Sequence, residues 1–180
     1  MLKGLIKFLV VLLAAYGLVF IQEWLVLLAP APFKAILLIV IFPVWLQIYL
    51  TDKLSVFGLI LGTGIFAELI SSSLPGSILI ALLAEYFLVA VLISRVITNR
   101  STPAVIFLLS VAILCFHLAR TVYVVVASLF FPSSDLVIIN QAWFIITSAS
   151  VSLGAGIIIY FVIAIFIRRV NPAYILDVKQ

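Results

Sequence analysis

The stretch Gly62-Thr63-Gly64-Ile65-Phe66-Ala67-Glu68-Leu69-Ile70-Ser71-Ser72-Ser73-Leu74-Pro75-Gly76-Ser77 places a carboxylate at the end of a glycine-notched apolar run, then turns through serine, proline and glycine. Pro and Gly between two apolar runs mark a reversal of the chain. What Glu68 does there depends on whether its solvent is water or lipid. Composition answers that: 67% of the 180 residues are apolar and 9% are charged, against about 45–50% and about 25% in soluble domains. Mean hydropathy is +1.49. The chain reads as an all-α polytopic membrane protein, and too little polar sequence remains for a separate soluble domain. Residues 1–180 form one integral membrane domain.

Working outward, a bilayer core about 30 Å thick needs roughly 20 apolar residues in a helix. The sequence predicts six spans, at about 8–28, 35–50, 54–71, 77–94, 104–131 and 142–167. The breaks carry their own signals. Ala29-Pro30-Ala31-Pro32 ends the first span, Asp52-Lys53 divides the second from the third, and Leu74-Pro75-Gly76 turns into the fourth. Ser101-Thr102-Pro103 supplies a hydroxyl cap and an early proline for the fifth, Pro132-Ser133-Ser134-Asp135 closes it, and Arg168-Arg169 closes the sixth. Pro43 within the second span removes a backbone donor and predicts a kink.

Lys and Arg gather in short cytoplasmic loops. With six spans and an internal N-terminus, Lys3, Lys7, Lys53, Arg95, Arg100, Arg168, Arg169 and Lys179 all fall inside, and only Lys34 falls outside. Both termini are thus expected in the cytoplasm. Lys3 and Lys7 before an apolar run also suggest a signal peptide, but the run continues through Trp24-Leu25-Val26-Leu27-Leu28, longer than a signal core. A retained first helix is expected. The basic residues are scattered rather than striped with aromatics, which argues against nucleic acid as a partner.

Small residues recur at packing intervals: Gly58 and Gly62 on the third span, and Ser148, Ser152 and Gly156 on the sixth. Such faces let helix backbones approach closely in lipid, within the bundle or between subunits. Ionisable residues inside a span are costly and mark pairs or functional sites. The candidates are Glu23, Glu68, Glu85, His117 and Arg120. Counted from the outer helix ends, Glu85 lies roughly 12 Å deep and Arg120 roughly 17 Å deep. Their opposite charges and similar depths predict a buried Glu85–Arg120 ion pair. Glu68 lies near the outer surface, where Ser71, Ser72 and Ser73 with Pro75 and Gly76 offer it a polar pocket.

Catalytic apparatus is not visible. Cys115 and His117 invite a thiol–imidazole pair, but two positions on a helix point about 200° apart, so His117 cannot activate Cys115. The single cysteine forms no intrachain disulfide. HExxH, paired-histidine metal spacing, a phosphate-binding glycine loop and GxSxG are all missing from the sequence. No cofactor is expected, and the lipid bilayer is the first partner. A bundle with polar residues in its outer half remains compatible with binding a small molecule.

The block Gly58-Leu59-Ile60-Leu61-Gly62, then Ala67-Glu68-Leu69-Ile70-Ser71-Ser72-Ser73-Leu74-Pro75-Gly76, then an apolar helix ending at Arg95 resembles the rod shape-determining MreD family. Length, six spans and the basic stretch after the sixth agree with it. Glu68 stands where the family usually carries aspartate, and Leu74-Pro75-Gly76 where it reads Pro-Leu-Gly. The resemblance implies a non-enzymatic scaffold of the cell inner membrane, acting with MreC-like and MreB-like proteins and the cell-wall elongation synthases. It also implies a fold similar to the substrate-binding subunits of energy-coupling-factor transporters, so a small-molecule-binding transporter subunit is the alternative.

Overall fold

The computed structural model describes residues 2–30, 33–49, 52–71, 74–95, 102–130 and 138–170, with the side chains of these except at 2, 3, 5, 128–130, 138–144 and 163–170. Its helices are α1 (Leu2–Leu28), α2 (Leu38–Tyr49), α3 (Lys53–Ile70), α4 (Ser77–Arg95), α5 (Thr102–Phe130) and α6 (Ile138–Val170), with a short 3-10 turn at Phe33–Ala35 before α2. No strand occurs among the described residues. The expected boundaries lie close to these, except at α2 and at the two ends of the chain.

Five of the helices are long and apolar enough to cross a membrane. The sixth, α2, has 12 residues, a length of about 18 Å that falls short of a bilayer core. The expected second span, 35–50, is therefore corrected in its first part. Residues 33–37 make a tight turn instead, in which the Ile36 N–H donates to the Phe33 carbonyl at 3.2 Å. Although α2 is short, it touches all five longer helices. Ile39, Val40, Ile41, Pro43, Val44, Trp45 and Ile48 are buried along it. It is the centre of the bundle, and α1 lies at the periphery, with Phe8, Leu13, Leu27 and Leu28 exposed.

Close approaches set the helix directions. A Cβ on Gly58 would lie 3.6 Å from Val11 and one on Gly62 would lie 3.0 Å from Ala15, so α1 and α3 run parallel and the Gly58/Gly62 notch is filled by α1 of the same chain. At Gly64 the approach is tighter: an added Cβ would meet Leu79 Cδ1 at 2.5 Å and Leu79 Cα at 3.1 Å, which draws α3 and α4 together. Gly156 does the same on α6, where a Cβ would meet Leu109 at 3.2 Å. In lipid no hydrophobic force holds helices together, so these contacts supply the dispersion that binds the bundle. The bundle has two ends, one carrying Gly76 and the other carrying Lys53 and Arg95.

At the Lys53 end, Asp52 caps α3. Its carboxylate accepts from the Ser55 hydroxyl at 2.8 Å and the Ser55 N–H at 3.4 Å. It also forms a salt bridge with Lys7 at the start of α1, the only salt bridge among the described residues. The Lys7 ammonium, followed by Ser55, holds the Asp52 carboxyl down to about 2 from an ordinary 3.8.

Candidate functional site

At the Gly76 end the chain builds a joint from Glu68 and the turn into α4. Glu68 Oε1 accepts from the backbone N–H groups of Ile78 and Leu79, the second at 3.2 Å. These are orphan donors in the first turn of α4, and a carboxylate there also meets the positive end of the helix dipole. The Tyr123 hydroxyl of α5 donates to the Pro75 carbonyl. Gly76 has φ +87°, the left-handed conformation in which a side chain is strained. An added Cβ would also stand 3.0 Å from the Tyr123 hydroxyl. One acid, one glycine and one tyrosine therefore fix the turn between α3 and α4 against α5.

Among the sequence candidates, Ser71 ends α3, its N–H donating to the Ala67 carbonyl at 2.8 Å. Ser72 and Ser73 lie outside the described residues. Glu68, expected to sit in a serine pocket, spends Oε1 on the α4 backbone instead.

The expected Glu85–Arg120 ion pair is not formed. Neither carboxylate oxygen of Glu85 has a hydrogen-bond partner, and Arg120 forms no salt bridge among the described residues. The reason is where α5 ends. Tyr123 reaches the Pro75 turn, so α5 continues seven residues past that level to Phe130. Measured from the turn, Arg120 is only about 4.5 Å down, level with the first residues of α4, whereas Glu85 is about 12 Å down. The arginine belongs to the joint and the glutamate to the bundle interior.

In that interior Glu85 has 0% exposure and His117 has 6%. His117 Nε2 is buried without a partner. Cys115 is half-buried, at about the same depth on α5 as Glu85 on α4. Thr63 Oγ1, Trp45 Nε1 and both polar atoms of the Gln47 side chain are buried and unpartnered as well. By contrast, Thr121 and Ser110 of α5 donate back to the carbonyls of His117 and Ile106, each at 2.8 Å.

A second polar cluster was not legible as such in the sequence. Gln22 of α1 is buried and holds the chain leading into α2 with both ends of its amide. Nε2 donates to the Ile36 carbonyl at 2.8 Å, and Oε1 accepts from the Leu38 N–H at 2.7 Å. From α6, Ser148 and Ser152 donate to the Ala35 carbonyl at 2.9 and 3.1 Å. The Ser152 hydroxyl also accepts from the Leu37 N–H at 2.9 Å. The two serines were expected as a small-residue packing stripe. They do allow α6 close, but their hydroxyls satisfy irregular backbone, which is tolerated in a membrane only where protein supplies the missing partners. The signal available in the sequence was a lone glutamine in an apolar helix, about two turns before a proline-rich break.

No family model, curated protein or solved structure matches the chain.

Proposed function

We propose that the chain is a non-enzymatic, MreD-like scaffold of the cell inner membrane. In this reading it crosses the bilayer six times with both termini in the cytoplasm, α2 and the turn before it making the second crossing. It organises the cell-wall elongation synthases with MreC-like and MreB-like partners, and so sets rod shape. The observation that carries the reading is the coincidence of the family-like block with the joint. Glu68 and Pro75, both in the stretch on which the resemblance rests, are tied to α4 and α5. A joint fixed from three helices gives the outer end of the bundle a defined shape, which a docking protein requires. The topology is supported by the Lys7–Asp52 bridge, which gathers two of the expected cytoplasmic charges at one end with Lys53 and Arg95.

The test is depletion in the native host combined with purification of the chain from its membranes. Rounded cells and recovery of MreC-like and cell-wall proteins are expected. Loss of one nutrient's uptake with shape intact, or recovery of transporter ATPases without cell-wall proteins, would overturn the reading in favour of a transporter subunit.

A further inference from the structure

At the Lys53 end, α2, α3 and α4 pack against one another. They leave a cavity of about 70 Å³, lined by Gln47 of α2, Lys53 and Val56 of α3, and Tyr86, Ala90 and Ser94 of α4. A single water needs roughly 10–15 Å³ of such space, so a group of several heavy atoms fits. The lining is graded from mouth to floor. Lys53 and Ser94 are exposed, Gln47, Tyr86 and Ala90 are half-buried, and Val56 is buried.

The fold leaves the polar groups of this lining largely unused. The nitrogen and the oxygen of the Gln47 amide are both buried and neither has a hydrogen-bond partner. Lys53 forms no salt bridge among the described residues. The neighbouring carboxylate of Asp52 is spent on Lys7 and Ser55, so the Lys53 charge is left unmatched. The Ser94 hydroxyl donates to the Val91 carbonyl at 3.0 Å, which leaves its oxygen able to accept. Ser94 stands one residue before the end of α4 and Lys53 is the first residue of α3. With α4 about 28 Å long, close to the thickness of a bilayer core, the cavity opens at the level of lipid headgroups.

A cation at the mouth, an amide donor without a partner on the wall and apolar sides together suit a phosphate group joined to an apolar body. Basic pockets between transmembrane helices bind anionic lipid headgroups in this way. We propose that the cavity between α2, α3 and α4 holds the phosphate of one anionic phospholipid from the leaflet at the Lys53 end. The Lys53 ammonium pairs with a phosphate oxygen, a charge-assisted bond stronger than a neutral one. The Gln47 amide N–H donates to a second oxygen, and the Ser94 oxygen accepts from a headgroup hydroxyl. Val56 and Ala90 meet the first apolar atoms of the lipid, whose chains continue over the exposed Phe87 and Val91 of α4. A zwitterionic lipid brings its own ammonium to Lys53 and to the exposed Arg95 beside Ser94, and like charges disfavour it.

The experiment titrates the full chain in neutral detergent with phosphatidylglycerol, phosphatidylcholine or soluble glycerol phosphate, and counts bound molecules by native mass spectrometry. One phosphatidylglycerol per chain is expected to stay bound at concentrations where phosphatidylcholine does not. Glycerol phosphate, which has no apolar body, is expected neither to bind nor to displace it. Lys53→Gln should weaken retention several-fold, and Ala90→Leu, which fills the cavity and leaves every charge in place, should abolish it. Because Ala90→Leu can fail to fold, the exposed position of Lys53 keeps the test decisive. Arg95→Gln, a basic residue outside the lining, should have a clearly smaller effect than Lys53→Gln. Equal retention of the two lipids, unchanged retention in Lys53→Gln or in folded Ala90→Leu, or equal losses at Lys53 and Arg95 would each overturn the proposal. Displacement by glycerol phosphate would overturn the lipid as occupant and assign the cavity to a soluble phosphate. None of these outcomes bears on the scaffold reading, which cell shape and co-purification test separately.

Discussion

Two polar regions of this bundle are equally buried and opposite in their hydrogen bonding. Where α1 and α6 flank the turn before α2, Gln22, Ser148 and Ser152 meet the backbone of Ala35, Ile36, Leu37 and Leu38 with bonds of 2.7–3.1 Å. On α3, α4 and α5, the Thr63 hydroxyl, the Glu85 carboxylate and His117 Nε2 have no hydrogen-bond partner in the protein. The difference separates two uses of polarity in lipid. The first cluster replaces helix hydrogen bonds that the chain gives up to place a short helix at its centre. The second gains no hydrogen bond from the fold in return for its burial.

The largest expected effect breaks the first cluster. Gln22→Leu leaves the Ile36 carbonyl and the Leu38 N–H buried and unsatisfied, at about 1–3 kcal/mol each. Unfolding in mixed micelles should show a loss of about 3 kcal/mol, and an unchanged midpoint would mean that water fills the gap. Next comes the α3–α4 approach. Gly64→Ala forces a Cβ against the backbone of Leu79, at 3.1 Å from its Cα. The expected cost is about 1–3 kcal/mol by the same assay. Gly58→Ala, with 3.6 Å of room, is expected to change little, so equal effects at the two glycines would contradict the packing described.

The joint is the third target. Glu68→Ala removes the acceptor for two N–H groups of α4, and a lost cap costs about 1 kcal/mol. Glu68→Gln keeps an acceptor and should recover most of that loss. If both variants melt alike, the charge rather than the hydrogen bonds holds the joint. Smallest is the exposed Lys7–Asp52 bridge. Because folding lowers the Asp52 carboxyl from 3.8 to about 2, its contribution is complete above pH 4 and lost as pH falls towards 2. Asp52→Asn should remove that part of the acid dependence while leaving neutral-pH stability nearly unchanged.

How much of this could be read from the letters differs between helices and contacts. Asp52 marks where α3 begins, and proline, glycine and serine breaks mark where α4 and α5 begin, because a chain in lipid must close its backbone hydrogen bonds within each helix. The short α2 was harder, since Ala35 to Leu38 is as apolar as a helix and yields to a turn only because Gln22 and two serines of α6 are present to meet it. The Glu85–Arg120 pair failed for a related reason. Depth counted from helix ends assumes that every helix stops at the same plane, and nothing in 29 residues of α5 shows that seven of them pass the turn. Tyr123, which sets that register, is one tyrosine in a valine-rich run.

The central claim is that polarity around α2 is structural on the α1–α6 side and not structural on the α4–α5 side. Paired unfolding measurements on Gln22→Leu and Glu85→Leu in the same micelles test it most directly. The account expects Gln22→Leu to lose stability and Glu85→Leu to keep or gain it, because removing an unsatisfied buried carboxyl costs the fold nothing. A loss at Glu85→Leu as large as that at Gln22→Leu would contradict it.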